Sequence, residues 1–201
     1  MELDLLVGSG GVLSHAPRRE QAMRMMIDAF VPEGITQLAV DSIFMMPQLG
    51  VMANIEQADM AEDARKAAVE VFEKDCLIRL GTCIAPVGKP AKSGTVILTA
   101  EFDLPGEGKQ VIELKQGEII VIPAPYEPIS AKLTPSKTMS IGKDKGESHQ
   151  TDIYGGTVGL IFDGRGRPFE LSTEKSKRIE NLNKWSKATN EYPDTELLGG
   201  A

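Results

Sequence analysis

Residues 3–14 read LDLLVGSGGVLS, and this stretch decides how the fold of the chain is interpreted. Its apolar start is typical of a short buried strand, and the glycine-rich residues 8–11, the glycine turn, predict a sharp turn after it. Pro17 suits the first turn of a helix, and apolar residues then recur at helical spacing until Pro32. We therefore expect strand, glycine turn and helix over residues 3–30.

The glycine turn has two interpretations. Backbone without side chains can approach a ligand closely, and its amides can face an anion or a nucleotide, or the glycines can simply make a tight turn that binds nothing. The turn is not a Walker A loop, and Leu13 stands where a dinucleotide fingerprint needs its third glycine. His15 follows the turn and either reaches a bound nucleotide or caps and packs against the turn.

The next part of the chain continues the α/β pattern. Residues 35–41 predict a second strand that ends in Asp41, a residue placed to cap the next helix, to contact a ribose or to bind a metal-bound water. Residues 42–52 are so apolar that we expect them in the interior. Residues 60–80 predict a helix with acid-before-base pairs four apart, ended by Gly81.

The composition changes near residue 90, where short strands replace helices. Residues 89–94 resemble a linker, and residues 136–152 are polar and predict a mobile surface loop. A last helix from Thr173 carries Trp185, and the tail from Glu191 is expected to fray. Strand-like runs punctuated by glycine and proline predict a small sheet or barrel and lie at 95–102, 110–114, 118–122 and 157–162.

Composition excludes several classes of function. The net charge of −7 and the scattered lysines and arginines argue against a nucleic-acid surface, and no apolar run of about 18 residues predicts a membrane span. Cys76, Cys83, His15 and His149 are too few and too scattered for a zinc site. We expect both cysteines to be reduced, buried and packing-related, as in a cytoplasmic protein.

A second glycine-rich stretch follows an apolar run near the end of the chain. Residues 163–168 read DGRGRP, so Arg165 and Arg167 either clamp a phosphate or carboxylate or bridge to Asp163 or a helix C-terminus. Just before that run, residues 154–156 pair a tyrosine with two glycines. Paired glycines indicate a turn or close backbone packing, with ligand contact as the alternative.

Several segments resemble known proteins. Residues 7–14 (VGSGGVLS) resemble the adenosine motif of the actin-like ATPase superfamily, in which paired glycines after a strand lie against the nucleotide. Residues 47–53 (PQLGVMA), 80–86 (LGTCIAP) and 155–168 (GGTVGLIFDGRGRP) are similar to segments of the glutamate mutase accessory (MutL-type) family, as is the closing helix. The matches span most of residues 3–188.

The resemblance implies an α/β fold made of two parts. Residues 1–90 would form the C-terminal portion of an actin-like (ribonuclease H-like) ATPase domain, and residues 94–188 a β-rich small domain with a closing helix. Residues 189–201 would be a flexible tail. Because a strand follows Met1 directly, we also expect the chain to be a piece of a longer protein.

The resemblance further implies an accessory, chaperone-like role beside an adenosylcobalamin-dependent mutase, in which ATP binding or turnover helps to exchange damaged cobalamin. By match, the adenosine-binding residues would be Gly8, Gly10 and Gly11, with Ser14 as a weaker candidate. The cofactor would be ATP or ADP, with Mg²⁺ in the full-length protein. In the β-rich part, Arg165, Arg167 and the polar loop are candidates for contact with an anion or with the mutase. Association of this chain with copies of itself is a further possibility.

One departure limits what this chain is expected to do. The superfamily holds phosphate and metal with a D-x-G-x-T hairpin and positions water with a second acidic motif, and neither precedes Leu3. In-line attack on a γ-phosphate needs both. We therefore hypothesise that this chain forms half of a nucleotide cleft, contains no catalytic residue and no metal ligand, and cannot hydrolyse ATP alone. The alternatives are a scaffold module with a degenerate cleft, or part of a small-molecule kinase with Asp41 as its sole candidate base.

Overall fold

A seven-stranded mixed sheet organises the chain in the computed structural model, which describes residues 3–54 and 61–192. A two-stranded sheet lies beside it. The strands of the two sheets within the described residues are β1 (Leu5–Gly8), β2 (Gly34–Asp41), β3 (Leu77–Ala85), β4 (Val87–Gly88), β5 (Val96–Leu104), β6 (Gly108–Lys115), β7 (Ile119–Pro135), β8 (Met139–Ser140) and β9 (His149–Asp163).

Helices occur mainly in the first half of the chain and at its end. A π-helical turn, Phe72–Cys76, extends one of them directly into a strand. The α-helices of the described residues are α1 (Gly11–Ser14), α2 (Arg19–Phe30), α3 (Met46–Ala53), α4 (Ala61–Val71) and α5 (Lys175–Thr189).

The order of the large sheet is β1-β2-β3-β9-β7-β5-β6. The pairs β1–β2 and β3–β9 are parallel, whereas the other neighbouring pairs are antiparallel. β4 pairs with β8 in the small sheet. The α/β fold class expected from the sequence is therefore confirmed.

The two faces of the sheet bury separate cores because successive side chains of a strand point in opposite directions. Along β3, Cys83 packs with α2 and α5, whereas Ile84 packs with residues of β5, β6 and β7. Met23 and Met26 of α2 and Trp185 of α5 are almost fully buried in the first of these cores. This packing holds α2 against β2 and so fixes the position of the glycine turn.

Several boundaries follow the sequence closely. The first strand, the glycine turn and the second strand lie where they were expected, and α2 ends just before Pro32. Val31 closes that helix in the left-handed conformation, with φ of 46°. The four strand-like runs after residue 94 are all strands, although β7 and β9 extend well beyond the predicted limits.

The helix predicted over residues 60–80 was wrong in its last part. The α-helix stops at Val71, and Leu77–Ala85 is a strand between β2 and β9. Gly81 lies within this strand, where a Cβ atom would come within 1.7 Å of the Gly159 carbonyl oxygen on β9. It therefore permits the close approach of two strands and does not end a helix.

The mobile loop predicted over residues 136–152 was also wrong in part. Met139–Ser140 forms β8, and His149 is the first residue of β9 rather than a solvated loop residue. The His149 side chain is half-buried, and among the described residues its Nδ1 atom has no hydrogen-bond partner.

The interior position expected for residues 42–52 was wrong as well. Ile43 is 56% exposed, Val51 74% and Phe44 48%, and the helix begins only at Met46. Leu49 is the buried residue of α3. This part of the chain is an apolar surface.

The sheet runs continuously across the expected boundary near residue 90, since β3 pairs directly with β9. Separate folding of residues 1–90 and 94–188 stays a prediction. The predicted tail begins within the last described residues, where Glu191 is buried, and its remainder, residues 193–201, lies outside them. Within the described residues, no helix has the length and apolar character needed to cross a membrane.

Candidate functional site

The glycine turn lies at the carboxyl end of a parallel pair of strands. Gly8, the last residue of β1, pairs with Val40, and β2 ends one residue later at Asp41. Since parallel strands end at the same edge of a sheet, the glycine turn and the loop after β2 are neighbours there. Open α/β sheets bind their ligands at such edges.

The three glycines of the turn differ in their surroundings. A Cβ atom on Gly8 would meet Leu13 at 2.8 Å and Met26 at 2.9 Å, so Gly8 faces the core. On Gly10 or Gly11 it would meet no heavy atom within 4 Å. Gly10 has φ of 103°, which a side-chain-bearing residue rarely adopts. The turn therefore presents bare, open backbone at Gly10 and Gly11.

Asp41 ties the loop after β2 to the glycine turn. Its buried carboxylate accepts hydrogen bonds from the amides of Met45 (3.0 Å) and Met46 (2.9 Å) and from the Ser9 hydroxyl (3.2 Å). Burial favours the neutral acid, but the hydrogen bonds hold the pKa of Asp41 below its usual value. Asp41 therefore satisfies two amides at the start of α3, although the N-cap residue of that helix is Met45. Three of the carboxylate's acceptor positions are already used within the chain.

Two further residues that could contact a nucleotide, Ser14 and His15, make hydrogen bonds within the chain instead. Ser14 is buried, and its hydroxyl donates to the Asp41 carbonyl oxygen. The amide of His15 donates to the Gly11 carbonyl at 3.0 Å and closes α1, whereas its side chain is exposed. Helix α1 has only one turn, so its dipole contributes little to binding an anion at the glycine turn.

The arginines of the second glycine-rich stretch are buried in an ion-pair cluster. Arg165 donates to both carboxylate oxygens of Asp163 (2.9 and 2.8 Å) and to Asp28 (2.6 Å), and Arg167 donates to Asp163 at 2.9 Å. Arg165 also stacks on Phe169, 4.5 Å from the ring centre. These contacts correspond to the bridging alternative, because neither guanidinium is open to an external anion.

Charge and burial oppose each other at Asp163. Burial alone would raise the pKa of this carboxyl, but the hydrogen bonds and charges of Arg165 and Arg167 hold it well below the ordinary range. The same partnership raises the pKa of Arg165. The cluster is therefore charged near neutral pH and holds the end of β9 against α2, which carries Asp28.

The glycine pair after Tyr154 serves close packing. A Cβ atom on Gly155 would come within 2.2 Å of the Ala124 carbonyl oxygen, and one on Gly156 within 2.6 Å of the Arg79 carbonyl oxygen. These contacts fit the packing interpretation of the paired glycines.

A cavity of about 550 Å³ lies at the opposite ends of β1 and β2. Asp4, Glu33 and Asp152 contribute carboxylates to its wall, and no lysine or arginine lines it in the described part of the chain. The carboxylates of Asp4 and Asp152 make this wall unfavourable for the phosphates of a nucleotide. Across residues 3–54 and 61–192, no three histidine, cysteine, aspartate or glutamate side chains are grouped to hold a metal ion.

Both cysteines are free and buried, as predicted. Burial raises the pKa of the Cys83 thiol to about 12, and burial also raises that of Cys76. Neither thiol is therefore an available nucleophile or ligand near neutral pH.

Two residues of this edge were not identified from the sequence. Ser9 joins the glycine turn to Asp41, and because the two residues lie 32 positions apart in the chain, the sequence carried no local signal for this contact. Phe44 adopts φ of 58° while its side chain is half exposed. That strained conformation depends on the tertiary loop geometry and left no sequence signal.

The fold and this edge define a mixed α/β protein with an open glycine turn at the carboxyl ends of a parallel strand pair. The model of the family described as MutL protein matches residues 1–75, the part that contains the turn and Asp41. This match over residues 1–75 is consistent with the MutL-type resemblance drawn from the sequence. Neither a curated protein nor a solved structure matches the chain.

Proposed function

We propose that this chain supplies the adenosine side of a nucleotide cleft in an ATPase-like accessory factor for an adenosylcobalamin-dependent mutase. The observation that carries the proposal is the open backbone of Gly10 and Gly11 at the carboxyl edge of β1 and β2. The mutase partner belongs to the same proposal and is supported by the family match over residues 1–75. The actin-like architecture and the cytoplasmic location are also part of the proposal, and they rest on the sequence patterns alone.

The fit of ATP or ADP to this edge depends on backbone, not on charged side chains. The open space beside Gly10 and Gly11 leaves room for a nucleoside to lie against the main chain, and the loop held by Asp41 lies at the same edge of the sheet. Gly8 and Ser14 support the turn from inside. A bound adenine nucleotide would supply phosphoryl chemistry only together with phosphate- and metal-binding groups that this chain's turn does not offer.

Asp41 is poorly suited to hold Mg²⁺ or to act as a base. Its carboxylate already accepts three hydrogen bonds, and its lowered pKa makes it a weak proton acceptor. The small-molecule kinase alternative therefore loses its one candidate base. The scaffold alternative is favoured by the internal engagement of Ser9, Ser14 and Asp41, which leaves few polar groups for a ligand.

Nucleotide titrations followed by calorimetry test the proposal. Because only the adenosine side is contributed, adenosine, ADP and ATP should bind within a few-fold of one another, with a Kd of about millimolar or tighter. Gly11→Trp should weaken all three at least tenfold, since a large side chain can enter the open face without backbone strain. Val111→Trp on the exposed strand β6 is the matched control and should not change binding.

Two results would contradict this proposal. Equal nucleotide affinities of wild type and Gly11→Trp would show that the glycine turn does not bind the nucleotide, and the scaffold alternative would remain. If the purified chain alone hydrolysed ATP and Gly11→Trp abolished that activity, the chain would contain the phosphate side of the cleft as well as the adenosine side.

A further inference from the structure

The large sheet opens at one place, where neighbouring strands lose their regular pairing. β3 pairs with β9 only over Gly81–Ile84, so the first residues of β3 have no partner on that side. The pairing of β7 with β9 shifts twice between Ile122 and Pro128, and that of β2 with β3 shifts between Leu38 and Ala39. Irregularities of this kind change the direction of side chains and are frequent beside binding sites.

An open cleft of about 670 Å³ lies at this gap. Its volume is within the range of small-molecule sites, which combine an apolar wall with a few polar groups. Leu77 and Ile78 are apolar parts of the wall, and Arg79 is its one cationic residue in the part of the chain that the structure describes. The lining residues are Glu73, Leu77, Ile78, Arg79, Tyr126, Gly156 and Thr157.

Arg79 is held at both its backbone and its side chain. The Thr157 hydroxyl donates to the Arg79 carbonyl oxygen at 3.2 Å, and a Cβ atom on Gly156 would come within 2.6 Å of the same oxygen. The guanidinium carbon lies 5.5 Å from the centre of the Tyr126 ring, which itself lies 5.6 Å from the Tyr154 ring. A side chain that is already positioned loses less conformational entropy when a ligand binds.

The hydrogen-bond donors of Arg79 are unused within the chain. Across residues 3–54 and 61–192, no carboxylate forms an ion pair with this half-buried guanidinium and no oxygen accepts a hydrogen bond from it. Arg165 and Arg167 differ, because Asp163 accepts hydrogen bonds from both. Stacking on a ring engages the face of a guanidinium and leaves the N–H groups in its plane for a carboxylate or a phosphate.

We propose that this cleft binds a small organic anion, with its carboxylate or phosphate on Arg79 and its apolar body against Leu77 and Ile78. Tyr126 positions the guanidinium through the ring contact. Glu73 also lines the cleft and opposes an anion, but its side chain is exposed, so solvent and salt screen its charge. The proposal is independent of nucleotide binding at the glycine turn.

The test uses four probes that share a naphthalene ring and differ in charge: naphthoate, naphthyl phosphate, naphthylmethanol and naphthylmethylammonium. In a ¹⁵N-labelled chain without nucleotide, an anionic probe should shift the amides of Arg79, Gly156 and Thr157, with a Kd of about millimolar or tighter. Hydrogen bonds to a charged group correspond to a preference of about tenfold or more over the alcohol and the ammonium. The tighter of the two anions assigns the cleft to carboxylates or to phosphates.

Arg79→Met keeps the length of the side chain but removes its donors. Binding of the anions should fall about tenfold, to the level of the alcohol, while binding of the alcohol stays unchanged. Arg65→Met is the matched control, because it removes the same charge from an exposed arginine that does not line the cleft, and it should leave all four affinities unchanged. Circular dichroism checks that each variant is folded.

Glu73→Gln provides a second, exposed variant that does not depend on the stability of Arg79→Met. It should strengthen binding of the anions and leave binding of the alcohol unchanged. Anion affinities that are equal in wild type, Arg79→Met and Glu73→Gln would overturn the proposal, as would an equal loss in Arg65→Met, which would indicate general charge attraction. No shift of the three amides by either anion at about 10 mM would also overturn it. Since no nucleotide is present, failure of the nucleotide proposal leaves these outcomes unaffected.

Discussion

Replacing Asp163 by asparagine removes the shared counter-charge of two buried arginines. The change keeps the size of the side chain but leaves Arg165 with Asp28 alone and Arg167 without an anionic partner in the cluster. Removing one partner of a buried ion pair costs about 3–5 kcal/mol. For a chain of this length, this corresponds to a Tm lowered by roughly 6–20 °C.

The measurement is thermal and urea unfolding followed by circular dichroism, with Glu101→Gln as the matched control. That variant also removes one carboxylate charge, but from an exposed pair with Lys132 (3.3 Å), which contributes only about 0–1 kcal/mol. Asp163→Asn should therefore be far less stable than Glu101→Gln. Equal unfolding midpoints would refute the view that this cluster holds β9 against α2.

The advantage of wild type over Asp163→Asn should also depend on pH. The pKa of Asp163 is lowered in the folded chain, whereas an unfolded aspartate titrates near about 3.9. As the pH falls below that value, the aspartate of the unfolded chain binds a proton while the folded carboxylate stays ionised. The free energy of unfolding therefore decreases. The difference in unfolding free energy should be full above about pH 5 and shrink steadily toward pH 2. A constant difference would contradict the lowered pKa.

The remaining predictions concern the loop after β2 and the thiols. Asp41→Ala should lower the free energy of unfolding by about 1–2 kcal/mol because two amides at the start of α3 lose their acceptor, and Asp41→Asn should lose less because its amide oxygen still accepts. Urea unfolding compares the two, and equal losses would contradict the accepting role of this side chain. Cys76 and Cys83 should resist a thiol-specific reagent at pH 8 in the native chain and both react in guanidinium chloride, since both are buried. Rapid native modification would contradict their position in the cores.

The sequence predicted the parts of the fold that local patterns control. The β1–glycine turn–α2 unit and the hydrogen bonds of Asp41 to the start of α3 depend on short-range chemistry, and both are present. The bridging alternative for Arg165 and Arg167 was stated from the pattern, but choosing it required Asp28, which lies far away along the chain. Whether Arg165 and Arg167 bind an external anion or form a buried cluster is therefore decided by tertiary contacts.

The failures have tertiary causes too. Leu77–Ala85 follows a helix with acid–base pairs whose members lie four residues apart. Its own apolar run fits a helix or a strand equally well. Its place between β2 and β9 decides for a strand, with Gly81 set against Gly159. The apolar residues of α3 were expected inside because apolar helices usually are, but the described chain does not cover them.

Amide chemical-shift mapping with ATP tests the central claim most directly. In a ¹⁵N-labelled sample, ATP should shift the amides of Gly10, Gly11 and the loop after Asp41, and these shifts should disappear in Gly11→Trp. Shifts that cluster instead around Asp4 and His149, or no shifts at saturating millimolar ATP, would contradict a nucleoside lying against the glycine turn.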